Sequence, residues 1–156
     1  MAITGFQTSL ANDGSYDVSA TLWNLFVLSC MRVMHLGGSR TISLPLVASA
    51  QNVPDWIDVE VNGDDYPGLN VKLRVECRSD NAATAVTPKL RNVTDGTDAA
   101  TGAACSAVTQ DFSGANCTQS VVVTLASGKK KYRLQGTPSN ALHAVYCIGY
   151  LEIGSA

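Results

Sequence analysis

The clearest pattern in the chain is an alternation of apolar and charged residues from Val71 to Arg78. Successive side chains of a β-strand point to opposite faces, so this run predicts a strand with one face in a core and one in solvent. Residues 85–93 also alternate, but Pro88 lacks a ladder N–H, which predicts an edge strand or a strand that begins after the proline. Residues 144–153 are long and apolar and predict a central strand.

Shorter runs predict the remaining strands. Residues 119–125 and 131–135 flank Ser127-Gly128 and predict a hairpin of β-branched and aromatic strands. Residues 40–44 and 55–61 alternate as well, and a short strand is expected near residues 107–109 within a long surface excursion over residues 98–116. Residues 16–36 have no helix N-cap and are interpreted as strands that end at Gly37-Gly38-Ser39.

About eight short strands separated by turn signals predict an all-β fold, an antiparallel β-sandwich of jelly-roll type. The 156 residues suit one domain with a core large enough to fold without disulfides. Residues 1–17 have few strand signals and are interpreted as an N-terminal arm. Residues 18–156 are then the single jelly-roll domain.

Charge and hydropathy restrict the partners. Only 15% of the residues are charged and 46% are hydrophobic, a composition typical of a surface that partners cover. The net charge of −2 provides no basic field for nucleic acid, and Lys129-Lys130-Lys131 is expected to be a solvated hairpin tip. The most apolar stretch, residues 22–36, is interrupted by Asn24, Arg32 and His35, so no membrane span is expected.

Candidate chemistry is sparse. His35 and His143 are the only histidines and show no metal-ligand spacing, so no metal or cofactor is expected. An acidic cluster lacks the EF-hand calcium pattern and is interpreted as a solvated strand face and turn; it comprises Asp55, Asp58, Glu60, Asp64 and Asp65. No nucleophile elbow, P-loop or dinucleotide motif is present, and the chain is expected not to be an enzyme.

Cysteines and large aromatic residues complete the candidates. Cys30, Cys77 and Cys147 lie in apolar runs and are interpreted as small buried hydrophobes. A bridge between Cys105 and Cys117 is left open. The aromatic residues expected to be core or interface anchors are Trp23, Trp56, Tyr132, Tyr146 and Tyr150. Either tryptophan is alternatively a platform on which a sugar stacks.

One resemblance lies in the C-terminal half. The run Val-Thr-Pro-Lys-Leu-Arg-Asn-Val-Thr-Asp-Gly-Thr (residues 86–97), the run Lys-Lys-Tyr-Arg-Leu-Gln-Gly (residues 130–136) and the closing aromatic strand (residues 144–153) resemble the jelly-roll structural proteins of tailed bacteriophages. Within that group the chain is most similar to capsid decoration, or cement, proteins.

The resemblance implies a viral structural protein of the virion, made in the host cytoplasm. It implies a homo-oligomer, with a trimer favoured over a dimer, that binds the major capsid protein and stabilises the head lattice. The alternative interpretation is a receptor-binding module of a phage tail fibre or spike that binds host saccharide. The oligomeric order, the lattice site and the choice between head and tail stay open at this point.

Overall fold

The computed structural model describes residues 32–154. In this part of the chain there are nine strands and one short 3-10 helix. They are β1 (Arg32–Ser39), β2 (Gln51–Asn52), β3 (Val59–Asn62), the 3-10 helix (Gly63–Asp65), β4 (Asn70–Ser79), β5 (Val86–Asn92), β6 (Thr97–Thr101), β7 (Thr118–Val122), β8 (Lys129–Pro138) and β9 (Val145–Gly154).

The strands form two antiparallel sheets. One has the order β1-β9-β4-β7, and the other has the order β2-β8-β5-β6, with β3 also pairing with β8. Since β2 and β3 both pair with β8, they act as one interrupted strand, and residues 32–154 form an eight-stranded jelly roll. The predicted fold class, an antiparallel β-sandwich of jelly-roll type, is therefore confirmed.

The strands β4 and β9 are the central pair of the first sheet, and the central position of β9 was predicted from its length and apolar content. They pair without interruption from Asn70 opposite Gly154 to Ser79 opposite Val145. The inward residues of both strands are buried, and the outward residues are partly or fully exposed. Burial of these apolar faces against the second sheet, about 25 cal/mol for each Å² removed from water, drives the layers together.

The predicted hairpin around Ser127-Gly128 is wrong. Strand β7 pairs with β4 in the first sheet, whereas β8 pairs with β5 in the second, so the chain crosses between sheets at this point. The crossing is held by the 3-10 helix, since the Asp64 carboxylate accepts from Gly128 N–H at 2.9 Å. The three lysines accordingly begin β8 rather than form a hairpin tip.

The prediction that Pro88 marks an edge strand is also wrong. It lies in β5, between β8 and β6. The Pro88 carbonyl accepts from Gly102 N–H at 2.8 Å, so the proline nitrogen faces that same side. On that side of β5, strand β6 ends at Thr101, and the next pairing is the isolated bridge between Val86 and Cys105. Pro88 lies between these two pairings, where no ladder hydrogen bond is required.

Other boundaries differ from the predictions. Residues 40–44 are not a strand, although Leu44 N–H still donates to the Val145 carbonyl at 2.8 Å. Strand β1 ends at Ser39, within the predicted Gly37-Gly38-Ser39, but the two glycines lie inside the strand at an irregularity in its pairing with β9. Residues 107–109 are not a strand, and the expected surface excursion contains β6 and contributes Cys105 and Phe112 to the core.

The predicted arm, the strands proposed before residue 32, Trp23 and Cys30 lie outside the described residues. Within residues 32–154, no helix is both long and apolar enough to cross a membrane.

Candidate functional site

The outer face of the β1-β9-β4-β7 sheet carries a groove, here called the sheet groove. Its volume is about 440 Å³, and it is lined by His35, Arg40, Arg74, Val75, Glu76, Thr118, Ile148, Gly149, Tyr150 and Glu152. Strand register explains this assembly. Residues that are directly opposite each other in a ladder share a face of the sheet. Tyr150 of β9 stands opposite His35 of β1 on one side and opposite Arg74 of β4 on the other.

A forked ion pair forms one wall of the groove. The Arg74 guanidinium donates from Nε to one Glu152 oxygen at 2.9 Å and from Nη2 to the other at 3.2 Å. The hydrogen bond from Arg74 holds the pKa of Glu152 below its usual value, and the same bond raises the pKa of Arg74. Both groups therefore stay charged at neutral pH, so Glu152 is a poor proton acceptor and a good hydrogen-bond acceptor.

A second ion pair closes the other end. Arg40, which follows β1, donates to the Glu76 carboxylate on β4. Thr118 and Ile148 stand opposite Glu76 on its two neighbouring strands, and they place a hydroxyl and an apolar surface beside the carboxylate. Hydrogen-bond donors, hydrogen-bond acceptors and apolar surface therefore line the same groove.

An exposed aromatic ring lies between these polar groups. Tyr150 is 37% exposed, although it stands on the central strand β9. His35 lies across the β1–β9 ladder from it, and its Nδ1 accepts from Gly37 N–H at 3.1 Å, which leaves Nε2 as the donor of the neutral ring. An aromatic face beside fixed polar groups is typical of a site that binds a ligand with both apolar and polar surfaces.

The structure separates the aromatic residues that the sequence grouped as anchors. Tyr132 is fully buried in the core, and its hydroxyl accepts from Ala126 N–H at 3.0 Å. Tyr146 lies on the same outer face as Tyr150, with the Arg78 guanidinium 3.9 Å from its ring centroid. Trp56 is 49% exposed, away from the groove, with the Arg133 guanidinium 5.1 Å from its ring centroid.

The acidic cluster does not converge on one point. Asp58 accepts a forked pair of hydrogen bonds from Arg133, and Asp65 accepts from Asn62. Asp64 instead accepts from Gly128 N–H at the sheet crossing. Within residues 32–154, no group of three or more His, Cys, Asp and Glu side chains is arranged to hold a metal ion.

Several groove residues were not candidates from the sequence. Arg74 and Glu76 appear there only as solvent-facing residues of the alternating run 71–78, and Glu152 appears only as a member of the apolar run 144–153. Their meeting depends on the β4–β9 register, which aligns Lys72 with Glu152 and so places Arg74 diagonally across from that carboxylate. The available signal was charge of both signs on the alternating strand 71–78 and one carboxylate on the strand predicted to be central.

Comparison with known proteins finds a structural similarity but no matching family or sequence. No protein-family model matches the chain, and no curated protein sequence matches it. Among solved structures, the chain is similar to the CBM36-1 domain of a multidomain xylanase from the hindgut metagenome of Trinervitermes trinervoides. That alignment has 12% sequence identity and a TM-score of 0.43, and it covers 81% of this chain and 98% of that domain.

Proposed function

We propose that this protein is a non-enzymatic binding module whose sheet groove takes a saccharide. The observation that carries the proposal is the exposed Tyr150 ring beside the forked Arg74–Glu152 pair. A sugar ring has a face of C–H groups that packs on an aromatic ring, and its hydroxyls both donate and accept hydrogen bonds. The volume of about 440 Å³ lies within the range of about 300–1,000 Å³ found for ligand pockets.

The fixed geometry of the polar groups favours binding. Arg74 only donates and Glu152 only accepts, so neighbouring hydroxyls of one sugar can engage both groups. Because the two side chains already restrain each other, little rotamer entropy is lost when the ligand binds. The ionised state of Glu152 suits a hydrogen-bond acceptor rather than a general acid.

The test is a glycan array followed by titration calorimetry on any saccharide that binds. We expect Tyr150→Ala to weaken binding about ten-fold, the equivalent of a stacking contribution near 1.4 kcal/mol. Trp56→Ala is the matched control, since it removes an exposed aromatic ring outside the groove. Equal effects of the two substitutions, or no saccharide bound at millimolar concentration, would remove the support for a groove-based site.

A second candidate is the decoration role that the phage resemblance implies, in which a homo-oligomer binds the major capsid protein. The segment 42–57 favours it, because it holds five of the eleven exposed large hydrophobic residues among residues 32–154. They are Ile42, Leu46, Val47, Trp56 and Ile57, each between 45% and 55% exposed. Exposed apolar side chains concentrated in one segment are typical of a surface that another protein covers.

Solution mass and mixing with undecorated phage heads test this second candidate. If the segment 42–57 forms the interface, Leu46→Ser and Trp56→Ala lower the oligomer mass or the occupancy on heads, whereas Tyr150→Ala leaves both unchanged. A monomer that does not sediment with heads contradicts the decoration role. The two candidates are therefore distinguished by opposite responses to the Trp56 and Tyr150 substitutions.

A further inference from the structure

Four cysteines from distant parts of the chain meet in the core. Cys77, Cys105, Cys117 and Cys147 are each fully buried. The Sγ atoms of Cys77 and Cys147 are 3.3 Å apart, and those of Cys105 and Cys117 are 3.6 Å apart. The two pairs touch, because the Cys105 thiol donates to the Cys77 carbonyl at 3.2 Å. The cluster thus contains two thiol pairs, each already in sulfur–sulfur contact.

The backbone of the first pair suits a disulfide. Cys77 and Cys147 stand directly opposite each other in the β4–β9 ladder. Cys77 N–H donates to the Cys117 carbonyl at 2.7 Å, so this N–H group points away from β9. The two residues are therefore a non-hydrogen-bonded antiparallel pair, for which the Cα separation is about 4.5 Å. This falls within the range of about 4.4–6.8 Å that a disulfide spans.

Backbone hydrogen bonds also fix the second pair. Cys105 exchanges two bonds with Val86 of β5, at 2.9 and 2.8 Å, and is thereby pinned to the second sheet. Cys117 is held by its N–H bond to the Gly114 carbonyl and by the bond that its own carbonyl accepts from Cys77. A disulfide of about 2.0 Å requires the sulfurs of this pair to approach by about 1.6 Å.

We propose that these thiols form two disulfides, Cys77–Cys147 and Cys105–Cys117, when the chain folds in the presence of a small-molecule disulfide such as oxidised glutathione. For each pair, one thiolate attacks the glutathione disulfide and releases one glutathione thiolate. The second cysteine then attacks the mixed disulfide and releases the other. Two thiols thus lose two protons and two electrons, and one oxidised glutathione becomes two molecules of reduced glutathione.

The environment of the cluster determines when exchange happens. A hydrogen bond with Cys147, together with burial, raises the pKa of the Cys77 thiol well above its ordinary value. Burial raises the pKa of Cys105 to about 11. Exchange requires a thiolate with access to the reagent, so the folded reduced protein reacts slowly. The disulfides therefore form during folding, and the same burial then protects them from reductants.

The experiment compares refolding of the denatured, reduced chain in a glutathione redox buffer with refolding in excess dithiothreitol. A Cys30→Ser background removes the fifth cysteine, so that only the four cluster thiols react. We expect the intact mass after redox refolding to be lower by four hydrogen atoms. Alkylation in denaturant should then label none of the four cysteines, whereas it labels all of them after refolding in dithiothreitol.

Peptide mapping without reduction identifies the pairs. Cleavage before Asp111 separates Cys105 from Cys117, and cleavage after Arg133 separates Cys117 from Cys147. Each of the four cysteines then lies in its own peptide, so every bridge joins two identifiable peptides. The variant Cys77→Ser should lose only two hydrogen atoms and retain the Cys105–Cys117 bridge. Full alkylation of all four cysteines after redox refolding overturns the proposal, and so does a map that joins other pairs. The map of the Cys30→Ser chain decides the result even if Cys77→Ser does not fold.

Discussion

The contact between Gly136 and Leu44 allows a sharp test of how the core is packed. A Cβ atom added to Gly136 would lie 2.6 Å from Leu44 Cδ2 and 3.2 Å from Val86 Cγ2. The backbone of Gly136 is not left-handed, so alanine can adopt it without backbone strain. The cost of Gly136→Ala is therefore steric. We expect it to lower the free energy of unfolding by about 1–3 kcal/mol, the usual cost of overpacking.

Removal of the opposing side chain should reverse part of that cost. Leu44 is only 1% exposed, so Leu44→Ala alone is expected to cost about 2–5 kcal/mol through the cavity it leaves. In the double variant the new methyl group occupies part of this cavity, and the clash with Leu44 Cδ2 no longer exists. We expect the double variant to be more stable than the sum of the single effects by about 1–2 kcal/mol.

Urea or guanidinium denaturation of the four proteins measures this coupling. The midpoints should shift while the slopes stay equal, because the surface exposed on unfolding hardly changes. Gly68→Ala is the control, since a Cβ there meets nothing within 4 Å and acts only through a φ of 74°. Its effect should add to that of Leu44→Ala. Additivity of Gly136→Ala and Leu44→Ala within about 0.5 kcal/mol would refute the packing argument.

Three further predictions concern single groups. Gly38→Ala should cost at least about 2 kcal/mol in denaturation, because φ is 105° and a Cβ would lie 2.3 Å from a β9 carbonyl oxygen. The hydrogen bond from Arg133 lowers the pKa of Asp58, so the stabilisation is present above the ordinary value of 3.8 and is lost as the pH falls through the lowered folded-state pKa. Asp58→Asn should therefore show a smaller loss of stability than the parent protein between pH 6 and pH 3. Tyr132→Phe should cost about 1 kcal/mol by thermal or urea unfolding, since Ala126 N–H loses its partner, and an unchanged midpoint would contradict this.

The sequence predicted elements well where one strand has two different faces. The alternation from Val71 to Arg78 predicted β4, and the long apolar run predicted that β9 is central, because burial of alternate residues is a local property. The partner of a strand is not a local property. The short link at Ser127-Gly128 predicted a hairpin, yet the chain crosses between sheets there. The edge-strand prediction from Pro88 was wrong for the same reason, because a proline fits a central strand where the neighbouring strand has already ended, and that depends on where β6 ends.

The candidate site was predictable only in its parts. Tyr150 was expected to be an anchor, and Arg74 was expected on a solvent face, but the pairing of Arg74 with Glu152 requires the strand register. The cysteines show the same limit. Cys77 and Cys147 were expected to be buried, which is confirmed, but their contact with each other depends on residues seventy positions apart in the chain. Sequence patterns assign faces, whereas register assigns neighbours.

The sheet groove and the cysteine cluster lie on opposite faces of the same two strands. Glu76 faces Ile148 on the outer side, and the next pair along, Cys77 and Cys147, faces the core. A slip of one residue between β4 and β9 would turn each side chain to the other face and separate Arg74 from Glu152. A Cys77–Cys147 disulfide would forbid that slip covalently. The same register already exists with free thiols, so oxidation should leave ligand affinity in the folded state unchanged and extend binding to higher denaturant concentrations.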